Sequence, residues 1–178
     1  MSCKHILLTG CSCGGKSTLL KALNQLGYAT VSEPGRRIIA DETVMGGKAL
    51  PWVDMRAFAL RAVEMARSDL EAAHQYESVV FFDRGLIDAA IALEHSGGPS
   101  VRETLGQTRP YAEYVFVFPP WEELYTGDTE RRHDFKAAVQ EYHRINQALD
   151  DLGYRIKEMP LTTVSERADL IINECNAV

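Results

Sequence analysis

Residues 10 to 17 read Gly10-Cys11-Ser12-Cys13-Gly14-Gly15-Lys16-Ser17, an unbroken G-x-x-x-x-G-K-[ST] run whose chemistry is the holding of a polyphosphate. Glycines let the backbone come close to the anion, and successive N–H groups turn inward around it. The helix expected to open at Lys16 adds the positive end of its dipole. In this pattern Lys16 reaches the β and γ phosphates, the Ser17 hydroxyl is a direct magnesium ligand, and Thr18 completes the loop's contact set. From average residue frequencies, a chance match in a chain of this length is on the order of one per cent. A glycine-rich turn with a surface lysine therefore explains the run poorly.

Four further side chains have types and placements suited to phosphoryl chemistry. Asp83 closes the apolar run Ser78-Val79-Val80-Phe81-Phe82, where a second magnesium-site acid is expected; a helix N-cap is the competing use. Arg84 follows it and either meets a phosphate or acceptor across the crevice or pairs with a neighbouring carboxylate. Glu33 ends the second expected strand, where it either takes a proton from an attacking hydroxyl or forms a salt bridge with Arg36 or Arg37. Arg131 and Arg132 stand where a helix begins, and two cations there repel the positive dipole end unless a phosphate lies between them. The polar stretch around them, about residues 122–134, reads as a lid.

These residues need a scaffold that brings strand ends together, and the chain alternates accordingly. Strands are expected at His5–Thr9, Ala29–Ser32, Ser78–Asp83, Tyr114–Phe118 and Tyr154–Glu158. Helices are expected at Lys16–Leu26, from Arg36, at Asp54–Gln75, Gly85–Glu94 and Phe135–Leu152, and after the capping box Thr163-Val164-Ser165-Glu166. Thr43–Pro51 reads as a mobile loop. The expected class is α/β: a three-layer P-loop NTPase fold of about five parallel strands with helices on both faces, as a single domain over 1–178. Ligands of such sheets lie at the carboxyl ends of the strands, and every residue singled out above falls at such an end.

The 178 residues are 46% hydrophobic and 25% charged, a composition that builds one core. A net charge of -6 argues against a broad nucleic-acid surface. It leaves room for a local arginine cluster around a small phosphorylated ligand, since arginine outnumbers lysine thirteen to six. No apolar stretch approaches the length of a membrane span, and the amino terminus enters a strand at once, so no membrane association and a cytoplasmic location are expected. The four cysteines show no metal-binding spacing and the five histidines no zinc pattern; the thiols are read as reduced.

Together, the phosphate loop, Glu33-Pro34, Phe82-Asp83-Arg84-Gly85 and Arg131-Arg132 before a long helix resemble the P-loop kinases of nucleosides and nucleotides. More closely, the chain resembles small predicted ATPases grouped with AAA-type domains, relatives of ribosylnicotinamide kinase domains. In deoxynucleoside and thymidylate kinases, similar Glu-Pro and acid-Arg motifs serve the acceptor, and lid arginines stabilise the transferring group. The resemblance implies those roles for Glu33, Arg84, Arg131 and Arg132, although the Asp83-Arg84-Gly85 triplet lacks the serine or tyrosine usual there. The function expected is magnesium-dependent ATP binding with phosphoryl transfer to a small, nucleoside-like acceptor. A regulatory ATP- or GTP-binding module with no small-molecule acceptor is the alternative. No N-K-x-D guanine-reading segment is present, which favours ATP.

Overall fold

The structure, a computed structural model, describes residues 5–12, 14–125 and 129–176. Cys13 and positions 126–128 of the expected lid lie outside the described residues, as do the side chains of Arg131 and Arg132. Five strands, β1 (His5–Gly10), β2 (Ala29–Val31), β3 (Val80–Asp83), β4 (Tyr114–Phe118) and β5 (Arg155–Glu158), form one sheet in the order β2-β3-β1-β4-β5. All four pairings are parallel, with Leu8 opposite Asp83 on one side of β1 and opposite Phe116 on the other.

Alternation along the strands separates two cores. Leu7, Val80, Phe82, Val115 and Val117 face one cluster, while Ile6, Leu8, Phe81, Phe116 and Phe118 face the other. The first is covered by α3 (Met55–Ala73), α4 (Leu86–His95) and α6 (Thr129–Asp151); the second by α1 (Lys16–Gln25) and α7 (Val164–Asn176). Helices on both faces of a parallel sheet make the three-layer P-loop fold that the sequence predicts. Because both faces are covered, β1 and β3 are buried at every position, which explains their unbroken apolar character.

Most element ends fall within two residues of expectation, and the larger differences lie at three helices. The helix expected from Arg36, α2, runs from Pro34 to Met45, because proline at its first turn is already set for helix and Gly46, at φ 66, stops it. Thr43–Met45, expected in a loop, are thus helical. A short helix not expected from the sequence, α5 (Val101–Leu105), is fixed by the reciprocal bonds of Ser100 and Glu103. Helix α6 starts at Thr129 instead of Phe135, so Arg131 and Arg132 stand inside its first turns and not ahead of it.

Candidate active site

The phosphate loop is set by what it must pass. Gly10 has φ 115, and a Cβ there would lie 2.2 Å from the Phe118 carbonyl oxygen of β4. Gly15, at φ 77, precedes α1 with no side chain capping that helix and no acidic residue in its first turn. The first N–H groups of α1 are therefore left to an anion. The Cys11 thiol is buried and donates to the Phe118 carbonyl, as does the Cys11 N–H, so this residue fastens the loop to β4.

Lys16 is 5% exposed, and its ammonium donates to the carbonyls of Cys11 at 2.6 Å and Gly10 at 3.3 Å. Burial, followed by the charge of Arg84, lowers its pKa. Opposite it, the Ser17 hydroxyl donates to Asp83 Oδ2 at 2.8 Å. Asp83 Oδ1 is buried without a hydrogen-bond partner, and burial raises the carboxyl's pKa although Lys16 and Ser17 pull it down. An orphaned carboxylate oxygen beside a hydroxyl is the donor set a hard divalent cation takes, so the pair fits magnesium. The chain makes Asp83 the last residue of β3, and its side chain caps no helix; Gly85 occupies that position ahead of α4.

A cavity of about 230 Å³ is lined by Ser12, Gly14, Gly15, Lys16, Ser17, Thr18, Glu33, Arg36 and Arg84. The sheet thus brings the phosphate loop, Glu33 and Arg84 to one place. Glu33 accepts from Arg36 Nε at 3.0 Å and lies 3.8 Å from Arg84 Nε. Of the two uses foreseen for it, the salt bridge with Arg36 is present, and the carboxylate borders the same cavity as the loop. Arg37 instead pairs with Asp69.

Arg84 is the only non-glycine described with a positive φ, 56, and it follows directly on Asp83. Its guanidinium donates to Gly10 O at 3.0 Å and to Glu141 Oε1 of α6 at 2.9 Å. Burial works against its charge, but Glu141, Asp88 and Glu33 outweigh it and raise the pKa. The carboxylate pairing left open by the sequence is therefore present, and it ties α6 to the phosphate loop.

Three residues of the site escaped sequence reasoning. Asp88, in the first turn of α4, accepts from the Thr9 hydroxyl and from Gly85 N, and burial pushes its carboxyl up to about 6. Glu141 is one acid among many on an amphipathic helix, 57 positions from Arg84. Arg167 of α7 is 7% exposed, donates to Gly14 O at 3.1 Å and lies over the rings of Phe118 and Trp121. Only Asp88 had a local signal, an acid in the first turn of a helix opening with glycine.

A family model described as an AAA domain matches residues 5–167. No curated protein matches the chain in sequence. Among solved structures, a NadR protein in complex with NR is similar, with a TM-score of 0.72 and 16% identity over 99% of this chain and 52% of that one. A deoxyadenosine kinase from M. mycoides with bound dATP gives 0.66 and 16%, covering 97% and 99%. Shikimate kinase from Acinetobacter baumannii in complex with shikimate gives 0.54 and 17%, covering 98% and 93%. At these identities the likeness is one of fold, that of P-loop kinases. This chain spans about half the length of the NadR protein. Among the described residues, no helix is long and apolar enough to cross a membrane.

Proposed function

The chain belongs to the AAA domain family, and we propose that it is a magnesium-dependent phosphotransferase moving the γ-phosphoryl group of ATP to a hydroxyl of a small, nucleoside-like metabolite. The convergence of Lys16, Ser17 and Asp83 at the mouth of a glycine-set loop carries this reading. Lys16 now lies on loop carbonyls, which are weaker partners than phosphate oxygens. A nucleotide gives this buried ammonium a direct ion pair, which no described carboxylate makes with it. Ser17 and Asp83 would hold magnesium with phosphate oxygens and water, since no cluster of three His, Cys, Asp or Glu that could hold a metal exists among the described residues. The ion, when bound, supplies neutralisation of charge on the β and γ phosphates.

Glu33, within reach of the same cavity, accepts the proton of the acceptor hydroxyl as its oxygen bonds to the γ phosphorus. The bond from that phosphorus to the β–γ bridging oxygen breaks, and ADP leaves with the electron pair. Arg84 stays charged and borders the phosphates; Arg131 and Arg132, in the first turns of α6, are proposed to stabilise the equatorial oxygens.

The test is incubation of the protein with ATP, magnesium and a pooled library of nucleosides and related metabolites, following new phosphorylated masses against Lys16→Ala. A Lys16-dependent product supports the kinase and identifies its acceptor. Tight ATP binding with no product favours the regulatory module.

A further inference from the structure

A second cavity, of about 480 Å³, adjoins the phosphate loop at Ser12 and Arg84 and runs between α4, α6 and the start of α3. Its volume lies in the range of small-molecule sites. One wall is a stripe of α4, Asp88, Ile91, Ala92 and His95; the facing wall is a stripe of α6 from Ala137 through Glu141 to Arg144 and Ile145. Met55 and Phe58 of α3 add an apolar side. The groove has a direction. Asp88 is bonded to Thr9 and Glu141 to Arg84, so both acids mark the phosphate-loop end. His95 lies seven residues farther along α4, about 10 Å at 1.5 Å per residue, and Arg144 one turn farther along α6.

The two ends differ in charge. Of the described guanidinium groups that line this groove, the one at the loop end, Arg84, is already matched to Glu141 and Glu33. An acceptor bringing its own phosphate there would face Asp88 and Glu141, with Arg84 already paired. A hydroxyl, as a donor, suits those carboxylates. At the far end the Arg144 side chain makes no ion pair or hydrogen bond among the described residues, though it lines a partly apolar groove. The ring of Phe58 and the side chains of Met55 and Ile145 favour a flat body between the two ends.

We propose that this groove binds the phosphoryl acceptor, that the acceptor is an alcohol and not a phosphate monoester, and that Arg144 holds an anionic or carbonyl group at its far end. This rests on the kinase reading and narrows its substrate class. A carboxylate and the carbonyl edge of a nucleobase present the same oxygen acceptor to a guanidinium, and the two sources separate experimentally.

The experiment gives the intact protein ATP and magnesium with three panels: neutral nucleosides, ring alcohols bearing a carboxylate, and nucleoside 5′-monophosphates. Phosphorylated masses are read alongside thermal protection by ATP. Product from either alcohol panel and none from the monophosphates is expected, with Arg144→Ala raising the acceptor KM at least tenfold while ATP protection is unchanged. Arg144→Lys should recover most of the KM for a carboxylate and little for a nucleobase, because an ammonium replaces charge but not the planar fork. Phosphorylation of a monophosphate, or an acceptor KM indifferent to Arg144→Ala, overturns the proposal; silence from all three panels with ATP protection intact overturns it together with the kinase reading. Absence of ATP protection in the wild type would instead sink the kinase reading itself.

Discussion

Ser17 Oγ donates to Asp83 Oδ2 at 2.8 Å, while the other oxygen of the same buried carboxylate has no hydrogen-bond partner. The contact spans 66 residues and joins the end of the phosphate loop to the end of β3. Asp83→Asn keeps the shape but removes the charge a divalent ion needs. Magnesium-dependent tightening of ATP binding, measured by calorimetry with and without the metal, should fall at least tenfold in the variant. Equal tightening would place the ion elsewhere.

Lys16→Ala deletes a buried cation whose side-chain hydrogen bonds go to backbone carbonyls. Its melting temperature without ligand should stay within a few degrees of the wild type, because a poorly compensated buried charge contributes little to stability. The shift produced by ATP should vanish. Retained protection by nucleotide would refute the assignment of the loop.

Glu33→Gln removes the proposed proton acceptor and weakens the pairs to Arg36 and Arg84. ATP protection should persist while transfer to an acceptor drops by about two to four orders of magnitude, the usual contribution of a general base. Full activity would move that role to another group.

Asp88 titrates at about 6 in the fold against an ordinary 3.8, because burial favours its neutral form. Between those values the folded chain binds more protons than the unfolded one, so this group's contribution to stability is present at acid pH and is lost as pH rises from about 4 to about 6. A rise of that size corresponds to an effect on the order of 3 kcal/mol. Asp88→Asn, uncharged throughout, should flatten the dependence of unfolding free energy on pH over that window. A wild-type slope in the variant would show that other groups produce it.

Arg167→Met keeps the aliphatic stem against Phe118 and Trp121 but loses the bond to Gly14 O. Loss of one charge-assisted bond to the loop should weaken ATP binding about tenfold, or 1.4 kcal/mol. Unchanged affinity, measured by titration calorimetry, would make Arg167 a packing residue alone.

What the residue order determined by itself was local. The glycine, lysine and serine spacing defines a phosphate loop because neighbouring backbone groups build it, and continuous apolar runs such as Val79–Phe82 reveal parallel strands because burial on both faces leaves no polar positions. Even the acid at the end of β3 was legible, since strand ends line the crevice of any such sheet. Element ends were less so: α2 takes in residues expected in a loop, and α5 depends on a Ser100–Glu103 box masked by the Gly97-Gly98-Pro99 turn before it. Tertiary structure alone decided the order β2-β3-β1-β4-β5 and, with it, which distant side chains meet. Arg84 finds Glu141, Thr9 finds Asp88 and Arg167 finds Gly14 across separations of 57, 79 and 153 residues. No periodicity or motif encodes such pairs, because they depend on how whole helices pack on the sheet, and the identity of either partner is satisfied equally well by solvent until the chain has folded.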